Sequence, residues 1–241
     1  MLDWLRRDPL DSPTIVLSGR ELPVVVRRLA HARRMTLRLG SDGSDVRLSI
    51  PRWARTQDAL AFAATRIDWL ERQLAALPPP VAVGPGAVVR YRGAALRIVH
   101  AAGHRRAPAL DGDALLLGGQ EQSVAGRVRR WLEGSARALC SDDLAHYCEL
   151  IDRPAPALSL SSAKRRWGSC GPDGAIRINW RLVMAPDAVR RSVVAHEVAH
   201  LVHFDHGPRF HALLGDLFEG DVTEANLWLK REGRGLYAAF G

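Results

Sequence analysis

His196-Glu197-Val198-Ala199-His200 sets two imidazoles four residues apart, with a carboxylate directly after the first. On a helix, residues four apart share a face, so both imidazoles can reach one ion. Glu197 points beside that face. There it can take a proton from a water polarised by the metal without being a ligand itself. Zinc suits imidazole ligands and leaves a coordination position open for water. Val193, Val194, Val198 and Leu201 surround the motif, so its helix is expected to be buried. A buried glutamate between two histidines is costly without a metal, which favours one zinc ion over a chance match.

Residues 196 to 211 hold five of the nine histidines in the chain. Three of them suffice with a water, so a third ligand must be chosen. His203 follows His196 by seven residues. On one straight helix it would stand about 4.5 Å of rise beyond His200, in a row that converges poorly on a tetrahedral ion. His206 is favoured, because Gly207 and Pro208 break a helix and let the chain bend His206 back. Its separation from His200 equals that in the pattern H-E-x-x-H-x-x-G-x-x-H. The match to that pattern is partial: His203 stands where it has glycine, and no methionine follows. The expected metal set is therefore His196, His200 and His206, with Glu219 the alternative third ligand. His203 is expected to support the ligands, to donate to the transition state, or to lie on the surface. Arg166 and Tyr237 are the other candidate donors to a developing oxyanion. His211 is expected to be a packing or surface residue.

The elements that must position these groups are legible as alternating blocks. "PVVVRRL", "MTLRLG" and "VRLSIP" read as strands, the last two joined by a turn at "GSDGSD". "TQDALAFAATRIDWLERQLAAL" then takes helical period, with Leu60, Ala63, Ile67, Leu70 and Leu74 on one face and Thr56 as N-cap. "PPPVAVGPG" breaks it and is the linker expected between an N-terminal region, 1–80, and a second domain, 81–241. Strands return in "VVRYRGAALRIVHAAG" and "ALDGDALLLGG". A long helix follows, from about Gln120 to Leu150. After the turn "GPDG", Ile176, Ile178, Trp180 and Leu182 alternate with Arg177, Asn179 and Arg181, which predicts a strand with one buried and one polar face. "APDAVRRSVVAHEVAHLVHF", "PRFHALLGDLF" and "VTEANLWLKREG" read as helices. No internal repeat stands out. The class is α+β, with the histidine helix beside a small antiparallel sheet.

Composition narrows the context. The 241 residues, 47% of them hydrophobic, can bury a sizeable core. No apolar run near the start reaches the length of a leader's core, and no stretch approaches the roughly 20 apolar residues of a membrane span. The expectation is a cytoplasmic protein with no membrane partner. Cys140, Cys148 and Cys170 match no metal knuckle, and the first two are expected to be small core residues. The net charge of +8 admits a nucleic-acid partner. Of 34 basic residues only Lys164 and Lys230 are lysines, and the arginines are spread along the chain rather than gathered in one block.

"KRRWGSC", "IRINWRLVMAP" and "VVAHEVAHLVHFDHGPRFH" together resemble the YgjP-like metallopeptidase domain family, a group of bacterial metal-dependent hydrolases related to the SprT-like and WLM zincins. The resemblance is strongest over residues 160–216. It implies a zincin-like fold, zinc on His196, His200 and His206, a catalytic Glu197, and the Trp167-Gly168-Ser169-Cys170 stretch near the site. Arg166, Trp167, Arg177, Asn179 and Arg181 are the residues expected to bind substrate. Three functions are compatible. A zinc peptidase would pair extended substrate with the strand of Arg177 to Arg181. A nucleoside triphosphate (UTP) pyrophosphatase would use the arginines on phosphate. A DNA-associated SprT-like module would use the positive charge.

Overall fold

The computed structural model describes residues 13–40 and 42–240. Residues 1–12, part of the stretch read above for a leader, lie outside these. Among the described residues no helix is long and apolar enough to cross a membrane. Internal contacts divide the chain into a unit that ends at Pro79 and one that begins at Pro80.

In the first unit, β1 (Thr14–Leu17), β2 (Arg20–Leu29), β3 (Thr36–Leu39) and β4 (Val46–Pro51) form a sheet in the order β1-β2-β4-β3. The β2/β4 pair is parallel and the other two pairs are antiparallel. Alternation along the strands buries Leu22 and Val24 of β2 and Val46, Leu48 and Ile50 of β4 on one face. Ala59, Ala63 and Leu70 join the same core. They belong to two helices, α1 (Thr56–Ala64) and α2 (Ile67–Ala75), where one was expected. The break falls at Thr65, whose hydroxyl donates to the Phe62 carbonyl at 2.8 Å. Such a bond offers the backbone an alternative to the helical ladder.

The second unit begins with the same arrangement. β5 (Val88–Tyr91), β6 (Ala94–His100), β7 (Ala109–Asp111) and β8 (Ala114–Leu117) pair in the order β5-β6-β8-β7, again with only the central pair parallel. Both first hairpins turn through a left-handed residue followed by glycine: Ser18 and Gly19 in one, Arg92 and Gly93 in the other. Both sheets are followed by a helix carrying Trp-Leu-Glu, with Leu70 and Leu132 fully buried. The absence of a repeat, expected from the sequence, is thus corrected at the level of topology.

The helix of the second copy is α3 (Val124–Leu150), which buries Cys140 and Cys148 as free thiols. Beyond it, β9 (Leu158–Ser161), β10 (Gly168–Cys170) and β11 (Ile176–Asn179) form a sheet in the order β10-β11-β9. This sheet is mixed rather than antiparallel, because β9 runs parallel to β11. The Gly171-Pro172-Asp173-Gly174 turn closes the β10/β11 hairpin, with Gly174 N donating to Gly171 O at 2.9 Å. The strand expected to continue through Arg181 stops at Asn179. Its side-chain oxygen accepts from Arg181 N at 3.1 Å and caps a 3₁₀ turn over Trp180–Met184.

Three helices follow: α4 (Asp187–Ala199), α5 (Pro208–Leu217) and α6 (Val222–Glu232). α4 is tied to α3 by charge as well as by apolar packing. Arg190, 3% exposed, donates to Asp143 of α3 at 2.8 Å and pairs with Asp187. Arg191 bridges Asp143 and Glu219. This pins the helix that presents His196 and Glu197.

Candidate metal centre

α4 presents His196 and Glu197 in its last turn, and His200 is its C-cap. The helix was expected to run on to Phe204. It ends at Ala199 because the chain tightens, with Leu201 N bonded to Val198 O and Val202 N to Ala199 O. Gly207 and Pro208 do not end this helix. They start the next one, as N-cap and first residue of α5, where proline's missing N–H costs nothing. The loop between brings His206 back to the end of α4. Imidazole nitrogens of His196, His200 and His206 lie within 4.8 Å of one another. His206 Nε2 and His196 Nε2 are 3.2 Å apart.

Second contacts set the rings. His200 Nδ1 lies 3.0 Å from the His203 carbonyl, which can only accept. The proton therefore sits on Nδ1, and Nε2 keeps its lone pair for the cluster. Phe210 of α5, fully buried, packs against all three rings, with centroids 4.6 Å from His200, 4.8 Å from His206 and 4.9 Å from His196. Burial, helped by the neighbouring histidines His200, His206 and His211, pulls the His196 pKa down to about 4. Burial lowers that of His200 as well. Imidazole nitrogens gathered at one point are the donor set a divalent metal needs, and burial favours the neutral, ligating form of His196 and His200. The three residues fit a metal ion.

Glu197 is 6% exposed. Burial pushes its pKa up to about 7, against the pull of a hydrogen bond from the Cys170 main chain and of the Arg166 charge. β10 reaches this close because residue 168 is glycine: a Cβ there would strike the Glu197 carboxylate. Trp167, Gly168, His196 and Glu197 line one cavity.

The other residues expected at the site are dispersed. Asn179 is fully buried and donates to the Ala163 carbonyl at 2.8 Å. Arg181, 2% exposed, stacks between Trp180 and Tyr237, 4.7 Å from each ring, and donates to the Phe240 carbonyl. Both side chains are buried and bonded within the fold. Arg177 is exposed on β11, on the face opposite buried Ile176 and Ile178. β11 is the central strand of its sheet, so the edge strands are β10 and β9, and β10 is the one beside Glu197. The Tyr237 hydroxyl donates to the Ala163 carbonyl at 3.1 Å. Glu219 accepts from Tyr147 at 2.8 Å and pairs with Arg191, outside the histidine cluster.

Sequence reasoning passed over Phe210 and the reason for Gly168. Phe210 lies in the first turn of α5, which the chain enters directly from His206.

A family model described as YgjP-like, metallopeptidase domain matches residues 33–232. Comparison with curated proteins and with solved structures returned no match.

Proposed function

From the premise that the chain belongs to the YgjP-like metallopeptidase domain family, and is thereby a metal-dependent hydrolase, we propose that it is a zinc peptidase with Glu197 as general base. The observation that carries this reading is the buried Glu197 carboxyl set beside His196 and held by β10. His196, His200 and His206 hold one zinc ion. When bound, zinc supplies Lewis acidity, lowering the pKa of water and polarising the carbonyl under attack.

The protein's own groups do the rest. Glu197, with its pKa near the working pH, takes the proton of the attacking water and returns it to the departing amine. The Cys170 main chain and the Gly168 gap fix where the carboxylate can sit. Phe210 keeps the three rings from turning. Arg166, close enough to favour the charged form of Glu197, is available to steady it as the proton moves. An extended peptide adds to the free edge of β10. The nucleotide reading is left with fewer phosphate contacts, since Arg181 is buried and Arg177 belongs to the outer face of β11.

The test is turnover by zinc-loaded protein on an unstructured peptide library and on nucleoside triphosphates, with Glu197→Gln alongside. Peptides should be cleaved. Glu197→Gln should keep its zinc and lose about 10²- to 10⁴-fold in rate, since the amide has the same shape and accepts no proton. Hydrolysis of triphosphates alone would replace the peptidase reading. Turnover near the wild-type rate in Glu197→Gln would remove that residue from the chemistry.

A further inference from the structure

The cavity that Glu197 and His196 share with Trp167 extends away from the histidine cluster between three elements. Its volume is about 180 Å³. Val193 lies one turn before Glu197 on α4, and Ser192 one turn before His196, so both face the same side as the reacting groups. Val222, Asn226 and Leu229 sit at spacings of four and three on α6, which puts them on one face of that helix. Asp221 caps α6 by accepting from Thr223 N and Glu224 N, so the wall begins at a fixed point. Trp167 closes the third side. It packs against Gly233, where a Cβ would come within 2.9 Å of its ring, and against Tyr237.

The size and the lining select the occupant. Pockets that enclose a cofactor or drug-sized ligand run to about 300–1,000 Å³, whereas a cavity of about 150 Å³ takes a benzene ring. A space of about 180 Å³ suits one side chain and is smaller than the sites that enclose a nucleotide-sized ligand. Its walls are the ring of Trp167, the branched chains of Val193, Val222 and Leu229, and the bare backbone of Gly168. No lysine or arginine lines it, and its one carboxylate is Glu197. A charged side chain of either sign would be stripped of water against the apolar walls.

We infer that this cavity is a specificity pocket that receives one uncharged apolar side chain, of the size of Leu, Met or Phe, from the residue next to the bond that is cut. The inference rests on the peptidase reading and names the class of peptide that reading leaves open. Val222 and Leu229 set the depth and polarity of the pocket. Asn226 and Ser192 supply polar contacts at its margin, suited to the substrate main chain.

Binding and cleavage test it separately. Zinc-loaded Glu197→Gln protein, which binds without turnover, is titrated with Gly-Leu-Gly, Gly-Phe-Gly and Gly-Asp-Gly while the methyl resonances of Val222 and Leu229 are followed by NMR. The Leu and Phe peptides should shift these methyls and bind at least about tenfold tighter than the Asp peptide, within the 10- to 200-fold range by which apolar pockets discriminate. In that background, Val222→Trp should fill the space and erase the difference with zinc content unchanged. Leu229→Arg should reverse it in favour of Gly-Asp-Gly, a gain that misfolding cannot produce. Equal affinity for the three peptides, or shifts confined to other methyls, overturns the pocket. Cleavage sites of the wild type, mapped on the peptide library, separate the two claims. Peptides cut with no flanking preference, unaltered by Val222→Trp, would sink the pocket and leave the peptidase reading intact. Selective binding of Leu and Phe peptides at Val222 and Leu229, with no peptide cut, would support the pocket and sink the peptidase reading.

Discussion

Glu197 needs to be buried enough to become a strong base near neutrality, yet reachable by a proton. The structure meets both needs by removing a side chain: Gly168 gives up its Cβ so that the carboxylate can lie against β10. The histidines show a comparable economy. His203 helps through its carbonyl, which orients His200, and not through its ring. His206 faces His196 directly. His206→Ala should therefore lose tight zinc binding, and His203→Ala should keep it, because any residue at 203 supplies a carbonyl. Zinc content after dialysis against a weak chelator decides this, and retention in His206→Ala with loss in His203→Ala would reverse the assignment. The choice of His206 was open to reading from its spacing to His200. The path of the chain was not: helical period runs on to Phe204, and the helix stops at Ala199. Hydrophobic period carries on past a helix end whenever the next turn packs on the same core, so period alone cannot mark such an end.

At the scale of elements, α4 is the piece that must not move, and two arginines hold it. Arg190 and Arg191 both reach Asp143, which is 4% exposed on α3. Burying a charge is tolerable only while its partner is present. Asp143→Ala leaves two guanidiniums facing an apolar gap. Breaking a buried pair costs about 3–5 kcal/mol, and the low end, about 3 kcal/mol, is expected here because Arg190 keeps Asp187 and Arg191 keeps Glu219. Urea unfolding of the whole chain reads this directly, and a change below about 1 kcal/mol would show that the cluster does not anchor α4. The elements themselves were largely legible. β4 and the starts of α5 and α6 fall where alternation, proline and helical period put them. The misreadings share a cause. Asn179 and Thr65 each turn a polar side chain on a nearby backbone group, and such local bonds end an element without leaving a periodic signature.

The whole molecule repeats one solution. Each unit opens with a four-stranded sheet whose central pair is parallel, then lays a helix carrying Trp-Leu-Glu behind it. The sequence hides this because the loops differ in length and few residues are shared, among them the turn glycine, the buried leucine three residues after it and the Trp-Leu-Glu of the helix. Each sheet also has its own core. One runs from Ile15 to Leu74, and the other, from Val83 to Phe240, takes in β9 to β11 and α4 to α6. A stretch of about 160 residues with one continuous core is of ordinary size for an independent domain. All three proposed ligands, Glu197, the pocket and the Asp143 cluster belong to the second unit. Residues 80–241 expressed alone should therefore unfold in one cooperative transition and bind one zinc, with the same loss on His206→Ala as the full chain. Near-ultraviolet circular dichroism and elemental analysis check both points. A fragment with native helix content but no cooperative transition, or with no zinc, would mean that the family match beginning at residue 33 reflects a dependence of the metal centre on the first unit. A folded, zinc-loaded fragment would place all of the hydrolytic apparatus in the second unit and leave the first, with Trp53 78% exposed beside Arg52 and Arg55, free for a separate task.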